Sequence, residues 1–254
     1  MGNLLKSVDG PLGSLFGGSL FGGAGSVSLP PPDGADLQAV YDAESRHMRR
    51  MRAGEADALW YDWVPARSLS GSRRELSRLG DVSRFDDEPV AVRGTGGKIV
   101  PQGPGLINIS VLSRHPDHPG IRAAYDAVCA ALIQGFAAMG LATTTGARAG
   151  SFCDGAHNVL LATGEGPGRK LVGTAQRWAR WSGGAVCLHH CVILSGGRAD
   201  ELCARAEALY AHAGLPERYS RDAHSEVVLD RGELRAAMAG PLGRYLDAAE
   251  AGRI

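Results

Sequence analysis

Apolar and polar positions repeat on a helical period from residue 37 onward: Leu37, Val40, Tyr41, Ser45, Met48 and Met51 fall on one side, with Asp36 placed as an N-cap and Gly54 as a stop. The same period runs through residues 121–140, IRAAYDAVCAALIQGFAAMG, where Cys129 sits among core positions and Gly140 ends the helix. It returns in 199–213, where Leu202, Ala206, Leu209 and Tyr210 share a face and Cys203 is an ordinary helix residue. A short helix over 73–79 and two helical segments at 233–239 and 241–250 complete the set. Aromatic and β-branched runs predict strands at 59–64, 89–93, 157–163, 170–178, 185–194 and 225–230. PARSLSGS reads as a turn, while GEGPG and ARWSGG join three successive strands. Helices and strands interleave and neighbouring strands are joined by short turns, which predicts an α+β fold: a mixed, largely antiparallel sheet with helices packed on it.

Ahead of this pattern, residues 1–34 repeat a Ser-Leu-Phe-Gly-Gly unit and end in three prolines. Glycine at that density costs too much backbone entropy to order itself, so a flexible leader is expected, with Leu15, Phe16 and Phe21 able to dock on a groove or partner. Residues 35–254 are expected to form a single domain. With 27 Lys plus Arg against 27 Asp plus Glu, no net field favours nucleic acid or an anionic membrane surface. No apolar run reaches the roughly 18 to 20 residues that cross a bilayer, and neither a signal peptide nor a myristoylation pattern is present. Cys129, Cys153, Cys187, Cys191 and Cys203 lack the dense spacing of a disulfide scaffold, which points to free thiols in a reducing cytoplasm.

Three stretches carry candidate chemistry. In RGTGGKIVPQGPGLINISVL (93–112), five glycines interrupt strand-like runs, so the backbone turns tightly and admits close approach, but the spacing is not that of a P-loop. Cys153 lies in SFCDG, a turn before a strand, and pairing of 157–163 with 170–178 brings the Lys170 ammonium back toward it. A cation beside a thiol, or beside a carbonyl gaining charge, suits acyl transfer. In CLHHC, period 2 sets Cys187, His189 and Cys191 on one strand face and His190 on the other. Same-face neighbours lie roughly 6.5 to 7 Å apart, too far to enclose a metal bound at about 2.0 to 2.3 Å, so no metal site is expected. His190 is either a partly buried polar residue or part of a cleft.

Taken in order, RGTGGKIVPQGPGLINIS, GRKLVGTAQRW and LHHCVIL resemble blocks of the catalytic domain shared by biotin protein ligases, lipoate-protein ligases and octanoyltransferases, over roughly residues 36–230. LWYDWVPARSLSGS is similar to the family's aromatic strand and Ser-Leu-Gly turn. The resemblance implies a biotin/lipoate ligase-like domain with an acyl tunnel between the Gly-rich block and the lysine strand. Lys170 takes the place of the family's essential lysine, and Cys153 that of the thioester-forming cysteine in one class of octanoyltransferases. Arg93, Thr95, Gly96, Gly97, Gln102, Asn108, Gly173, Thr174, Ala175 and His190 are implied to bind substrate.

The preferred expectation is transfer of an octanoyl or lipoyl group, through a Cys153 thioester and without cofactor, to a lysine of a lipoyl carrier domain. That carrier would belong to a 2-oxoacid dehydrogenase or be a glycine-cleavage H protein, with acyl carrier protein a possible acyl donor. The alternative is an ATP- and Mg-dependent lipoate-protein ligase acting through an acyl-adenylate, with Arg93 and the GTGGK amides on phosphate. A catalytically lapsed lipoyl- or partner-binding module is the third, permitted by two departures from the family pattern. Gln102 stands where a histidine is usual, and Cys191 where a glycine follows the family's histidine.

Overall fold

The computed structural model describes residues 28–80, 82, 84–164 and 166–254. Asp36 accepts the Ala39 N–H at 2.8 Å and starts α1 (Leu37–Ala53), which ends at Gly54 in the left-handed region. Then follow β1 (Leu59–Trp63), β2 (Ser68–Ser72), α2 (Arg73–Leu79), β3 (Arg84–Phe85), β4 (Glu88–Arg93), β5 (Val100–Gln102) and β6 (Leu106–His115). The chain continues through α3 (Ile121–Ala138), β7 (Thr143–Gly146), β8 (Asn158–Leu161), β9 (Arg169–Trp181), β10 (Gly184–Leu194), α4 (Ala199–His212) and α5 (Arg231–Glu250).

Six strands form an antiparallel sheet in the order β1-β6-β10-β9-β8-β7. A second sheet, β3-β4-β2-β5, contains the parallel pair β2 and β4. The α+β expectation holds, with the sheet divided in two. Period 2 sorts the central strands: Ile107, Ile109, Val111, Cys191 and Ile193 pack on α3 and α5, while Leu112, Val186 and Leu188 pack on Tyr41, Met48 and Met51 of α1. The smaller sheet and α4 cover the remainder of that second face through Leu69, Ile99, Leu106, Leu194 and Leu209. A gap between this face and the smaller sheet becomes the site.

Several local expectations change. Glu44, not Ser45, occupies the buried stripe of α1. SLSGS, expected as a turn, is the fully buried β2, because neighbours satisfy its hydroxyls: Ser68 bonds the Ala66 carbonyl, Ser70 bonds Tyr41 and Arg93, and Ser72 caps α2. Residues 143–146, not expected as a strand, pair with β8 at the sheet edge. The expected strand 225–230 runs outside the sheets, joined to β9 through the Ser225 N–H on the Lys170 carbonyl at 2.8 Å. The two expected C-terminal helices are one, α5, which continues through Pro241 because Leu234, Met238, Leu242, Tyr245 and Leu246 share one buried stripe.

With 18 residues and mean hydropathy 1.2, α3 is long and apolar enough to cross a membrane by length and composition, contrary to the expectation that no run is. Here its Val128, Cys129, Leu132 and Phe136 pack into the core between the large sheet and α5. Of the expected leader, residues 1–27 lie outside the described residues. Asp33 and Gly34 hydrogen-bond Val64 at 3.1 and 2.9 Å, and Asp33 pairs with Arg231, so the chain is attached to the body before α1 begins.

His189 lies buried on the α3 and α5 face, 3.5 Å from Cys187 Sγ and 3.5 Å from the Tyr245 hydroxyl. Burial, with smaller contributions from His115 and His190, pushes its pKa down from 6.5 to about 3. A histidine neutral in the fold and free to protonate when unfolded stabilises fully above about pH 6.5 and loses that contribution as pH falls toward the folded value. Denaturant midpoints are therefore expected to drop between about pH 7.5 and about pH 5, at up to roughly 1.4 kcal/mol per pH unit for this group. An unchanged midpoint over that interval contradicts the assignment.

Candidate functional site

The turn between β7 and β8 holds Cys153 at φ +50°, a left-handed conformation that a residue with a Cβ adopts only when its surroundings impose it. The surroundings are specific. His224 Nε2 accepts the Phe152 N–H at 3.1 Å, and Nδ1 donates to the Ser220 carbonyl at 2.9 Å. Burial lowers the His224 pKa to about 4, so Nε2 stays an acceptor at neutral pH. From the other side, Asn158 Nδ2 donates to the carbonyls of Cys153 and Gly155 at 3.2 and 2.7 Å.

Lys170, the second residue of β9, reaches under this turn. Its ammonium donates to the carbonyls of Phe152 and, at 3.0 Å, Cys153. The side chain is 2% exposed, and burial lowers its pKa to about 8, against the upward pull of negative charge at Cys153 and Asp154. A Cβ at position 173 would stand 3.0 Å from Lys170 Cε and 3.2 Å from Nζ, so glycine there leaves the lysine its path. An ammonium with this pKa can exchange its proton near neutrality.

The Gly-rich segment closes on the sulfur. Lys98 N–H donates to Cys153 Sγ at 3.0 Å. Gly97 lies at φ +104°, and a Cβ on it would meet both Cys153 Sγ and Arg93 Nη2 at 2.9 Å. Arg93 holds the segment from behind: Nε donates to the Gly96 carbonyl at 3.0 Å, Nη2 to the Lys98 carbonyl at 2.6 Å, and Nη1 to the Ser70 carbonyl at 2.7 Å. These bonds engage Nε, Nη1 and Nη2 on protein oxygens, and Arg93 also lines the cavity.

On the adjoining wall, His190 Nε2 meets Glu44 at 2.7 Å and Nδ1 meets Thr95 Oγ1 at 3.1 Å, while the ring stacks on Tyr41 at 5.2 Å. Glu44 is fully buried. Burial alone would raise its pKa, but charge on His190 and hydrogen bonds from His190, Ser110 and Tyr61 outweigh it and hold the carboxyl low. Sequence reasoning missed Glu44, although a carboxylate at the fourth position of the stripe Leu37, Val40, Tyr41, Glu44, Met48 was a visible anomaly. His224 and Asn158, which fix the cysteine turn, were missed as well: His224 is distant in sequence, and Asn158, only five residues after Cys153, reads as the start of a strand.

These elements enclose a cavity of about 380 Å³, within the range of small-molecule sites. Cys153, Lys170, Arg93, Gly96, Gly97, Gln102, Asn108, Gly173, Thr174, Ala175 and His190 all line it, beside apolar Trp63, Val100, Leu106, Val192 and Leu194. Thr95 is the exception among the expected residues: it is not part of the lining and is bound to the His190 ring. Gln102 accepts a hydrogen bond from Asn108 Nδ2 at 3.0 Å, so the amide pair forms one polar spot in the wall. Both nitrogens of His190 are engaged, so the ring contributes to the wall through its face and edges.

Residues 71–209, more than half of the chain, match the model of the lipoyl protein ligase A/B catalytic domain. The chain belongs to that family. It is 36% identical over 141 residues to an octanoyl-[GcvH]:protein N-octanoyltransferase of Kyrpidia tusciae, a match covering 54% of this chain and 47% of the relative. The match thus spans about half the length of that relative. In fold, the domain is similar to a Thermoplasma acidophilum protein assigned as a lipoate protein ligase, with bound lipoic acid: TM-score 0.64, 17% identity, 85% of this chain and 83% of that one. Lipoate-protein ligase A bound with ATP gives TM-score 0.59 at 17% identity, covering 82% and 81%. The lipoyl ligase fold of the family is therefore the fold seen here.

Removing one member of the buried Glu44 and His190 pair strands the other. Glu44→Ala is expected to lower unfolding free energy by about 3 to 5 kcal/mol. The double replacement Glu44→Leu with His190→Phe is expected to recover most of that loss, measured by urea denaturation of the singles and the double. Additive losses in the double variant count against a coupled pair.

Proposed function

We propose that this domain transfers an octanoyl or lipoyl group to a lysine of a lipoyl carrier domain through a thioester on Cys153. The observation that carries the reading is the convergence, at one largely apolar cavity, of a thiol on a turn held in a left-handed conformation and a buried lysine bound to that turn. The octanoyltransferase relative supports it at the level of sequence.

In the first step the Cys153 thiolate attacks the carbonyl carbon of an acyl thioester, the bond from that carbon to the donor sulfur breaks, and the donor thiol leaves with a proton. Acyl carrier protein is a suitable donor. In the second step the neutral amine of the carrier lysine attacks the Cys153 thioester, an amide forms, and Cys153 departs as thiolate while the amine proton passes to solvent. Lys170, as an ammonium, leaves its carbonyl partners for the oxyanion of each tetrahedral intermediate. A glycine-cleavage H protein or the lipoyl domain of a 2-oxoacid dehydrogenase is the acceptor. Because the acyl group arrives activated, this route requires no cofactor. The ATP-dependent ligase reading has less support, since Arg93 is already bound to Gly96, Lys98 and Ser70. Residues 35–254 act as the catalytic domain, and five cysteines without a disulfide among the described residues suit a cytoplasmic setting.

Intact mass after incubation with octanoyl carrier protein, without ATP, is expected to show one octanoyl adduct that is absent in Cys153→Ala. An adduct unchanged by that substitution, or transfer that requires ATP, sinks the proposal. The advantage of wild type over Lys170→Met in forming the adduct is expected to shrink as pH rises through about 8, where the ammonium is lost. A ratio that grows with pH assigns Lys170 to proton abstraction instead.

A further inference from the structure

We infer that the backbone N–H of Lys98 stabilises Cys153 as a thiolate, and that Arg93 is the positioning residue that aims it. The inference rests on Cys153 being the nucleophile of the proposed transfer. Three observations carry it.

The first is the donor at the sulfur. Both hydrogen bonds of Lys170 go to carbonyls of the cysteine turn, whereas the Lys98 N–H points at Sγ from 3.0 Å. Sγ also lies 3.7 Å from the Lys98 carbonyl, a long contact to which only the thiol could donate. A hydrogen bond to an anionic acceptor is roughly twice as strong as one between neutral groups, so the shorter contact from the Lys98 N–H favours the thiolate. On ionisation the S–H bond breaks, the electron pair stays on sulfur and the proton goes to water.

The second is how the N–H is aimed. Arg93 grips the carbonyls on both sides of it, Gly96 at 3.0 Å and Lys98 at 2.6 Å, and is itself anchored on the carbonyl and hydroxyl of Ser70 in β2. A planar guanidinium fixes several acceptors at once; an ammonium is a point donor on a flexible stem. The peptide between Gly97 and Lys98 is thus tied to the smaller sheet, while Cys153 is tied to the large one through Lys170 and Asn158.

The third is the room left for the contact. Gly97 adopts φ +104°, and any Cβ there would press on Sγ and on Arg93 Nη2 together. Glycine at this position lets donor, sulfur and guanidinium approach one another.

The test follows carboxamidomethylation of Cys153 by iodoacetamide as a function of pH, with peptide mapping, on full-length wild type, Arg93→Lys and Arg93→Gln, each checked for folding by thermal melting. Alkylation near neutral pH is expected to slow by roughly tenfold in both variants, with the pH profile displaced upward. Arg93→Lys retains the charge but not the clamp, so a wild-type profile in that variant assigns the effect to charge and overturns the inference; a wild-type profile in both overturns it too. In wild type, the Lys98 amide proton resonance is expected to move over the same pH range as alkylation. A resonance indifferent to that range overturns the inference whether or not either variant folds. Alkylation needs no acyl donor. A missing octanoyl adduct with the expected alkylation behaviour therefore counts against the proposed transfer and leaves the Lys98 donor supported.

Discussion

An ammonium buried away from water must find acceptors, and the Lys170 side chain finds them in the carbonyls of Phe152 and Cys153. Most of the site depends on that requirement. Because Lys170 belongs to β9, pairing of β9 with β8 fixes where the cysteine turn sits relative to the large sheet. Because the acceptors are backbone carbonyls, the lysine constrains the peptide geometry that puts Cys153 at positive φ, and it does so without using its sulfur. Partners for a backbone carbonyl are replaceable; an acyl oxyanion, carrying full charge, competes well for the same ammonium. In the proposed transfer, one residue thus holds the turn in the resting domain and serves the reacting carbonyl when substrate arrives.

A second buried charge, the Glu44 carboxylate, is compensated within the cavity wall and not by substrate. Tyr61, Ser110 and His190 satisfy it, Trp63 Nε1 donates to Ser110 at 3.1 Å, and Thr95 completes the second nitrogen of His190. Such a network contributes little net stability compared with an apolar core of the same shape, but it admits few alternative packings. Its members come from α1, β1, β6, β10 and the Gly-rich segment, so it fixes the register of the first helix against the central strands on the side that faces the cavity. The polar atoms of this network are paired with one another, whereas Asn108 Oδ1 elsewhere in the cavity wall has no partner among the described residues.

Much of this was legible in the sequence because it depends on local periodicity. Period 2 in CLHHC separated the two strand faces, and the structure places His189 toward α5 and His190 toward α1. The Gly-rich block, Cys153 and Lys170 were identifiable as motifs, and all meet at one cavity. What failed did so for a consistent reason. SLSGS has the composition of a turn and becomes a buried strand with the help of Tyr41 and Arg93, distant in sequence, which satisfy the Ser70 hydroxyl. The segments 233–239 and 241–250 were separated because the cost of the N–H missing at Pro241 is local, while the packing of α5 with α3 that offsets it is not.

Each sheet controls one half of the reacting centre. Through Lys170 and Asn158 the large sheet sets the backbone of Cys153, and through Arg93 the small sheet sets the peptide facing its sulfur. The two halves are joined by the short connection from Gln102 of β5 to Leu106 of β6, and the distance between sulfur and donor depends also on how the two sheets pack across Leu69, Ile99, Leu106 and Leu194. Packed apolar interfaces transmit small displacements because interiors are dense and deform little. An acyl chain entering between the sheets touches that same packing at Leu106 and Leu194. In the proposed transfer, the acyl chain therefore lies against the same packing that sets the distance between the Cys153 thiol and its donor.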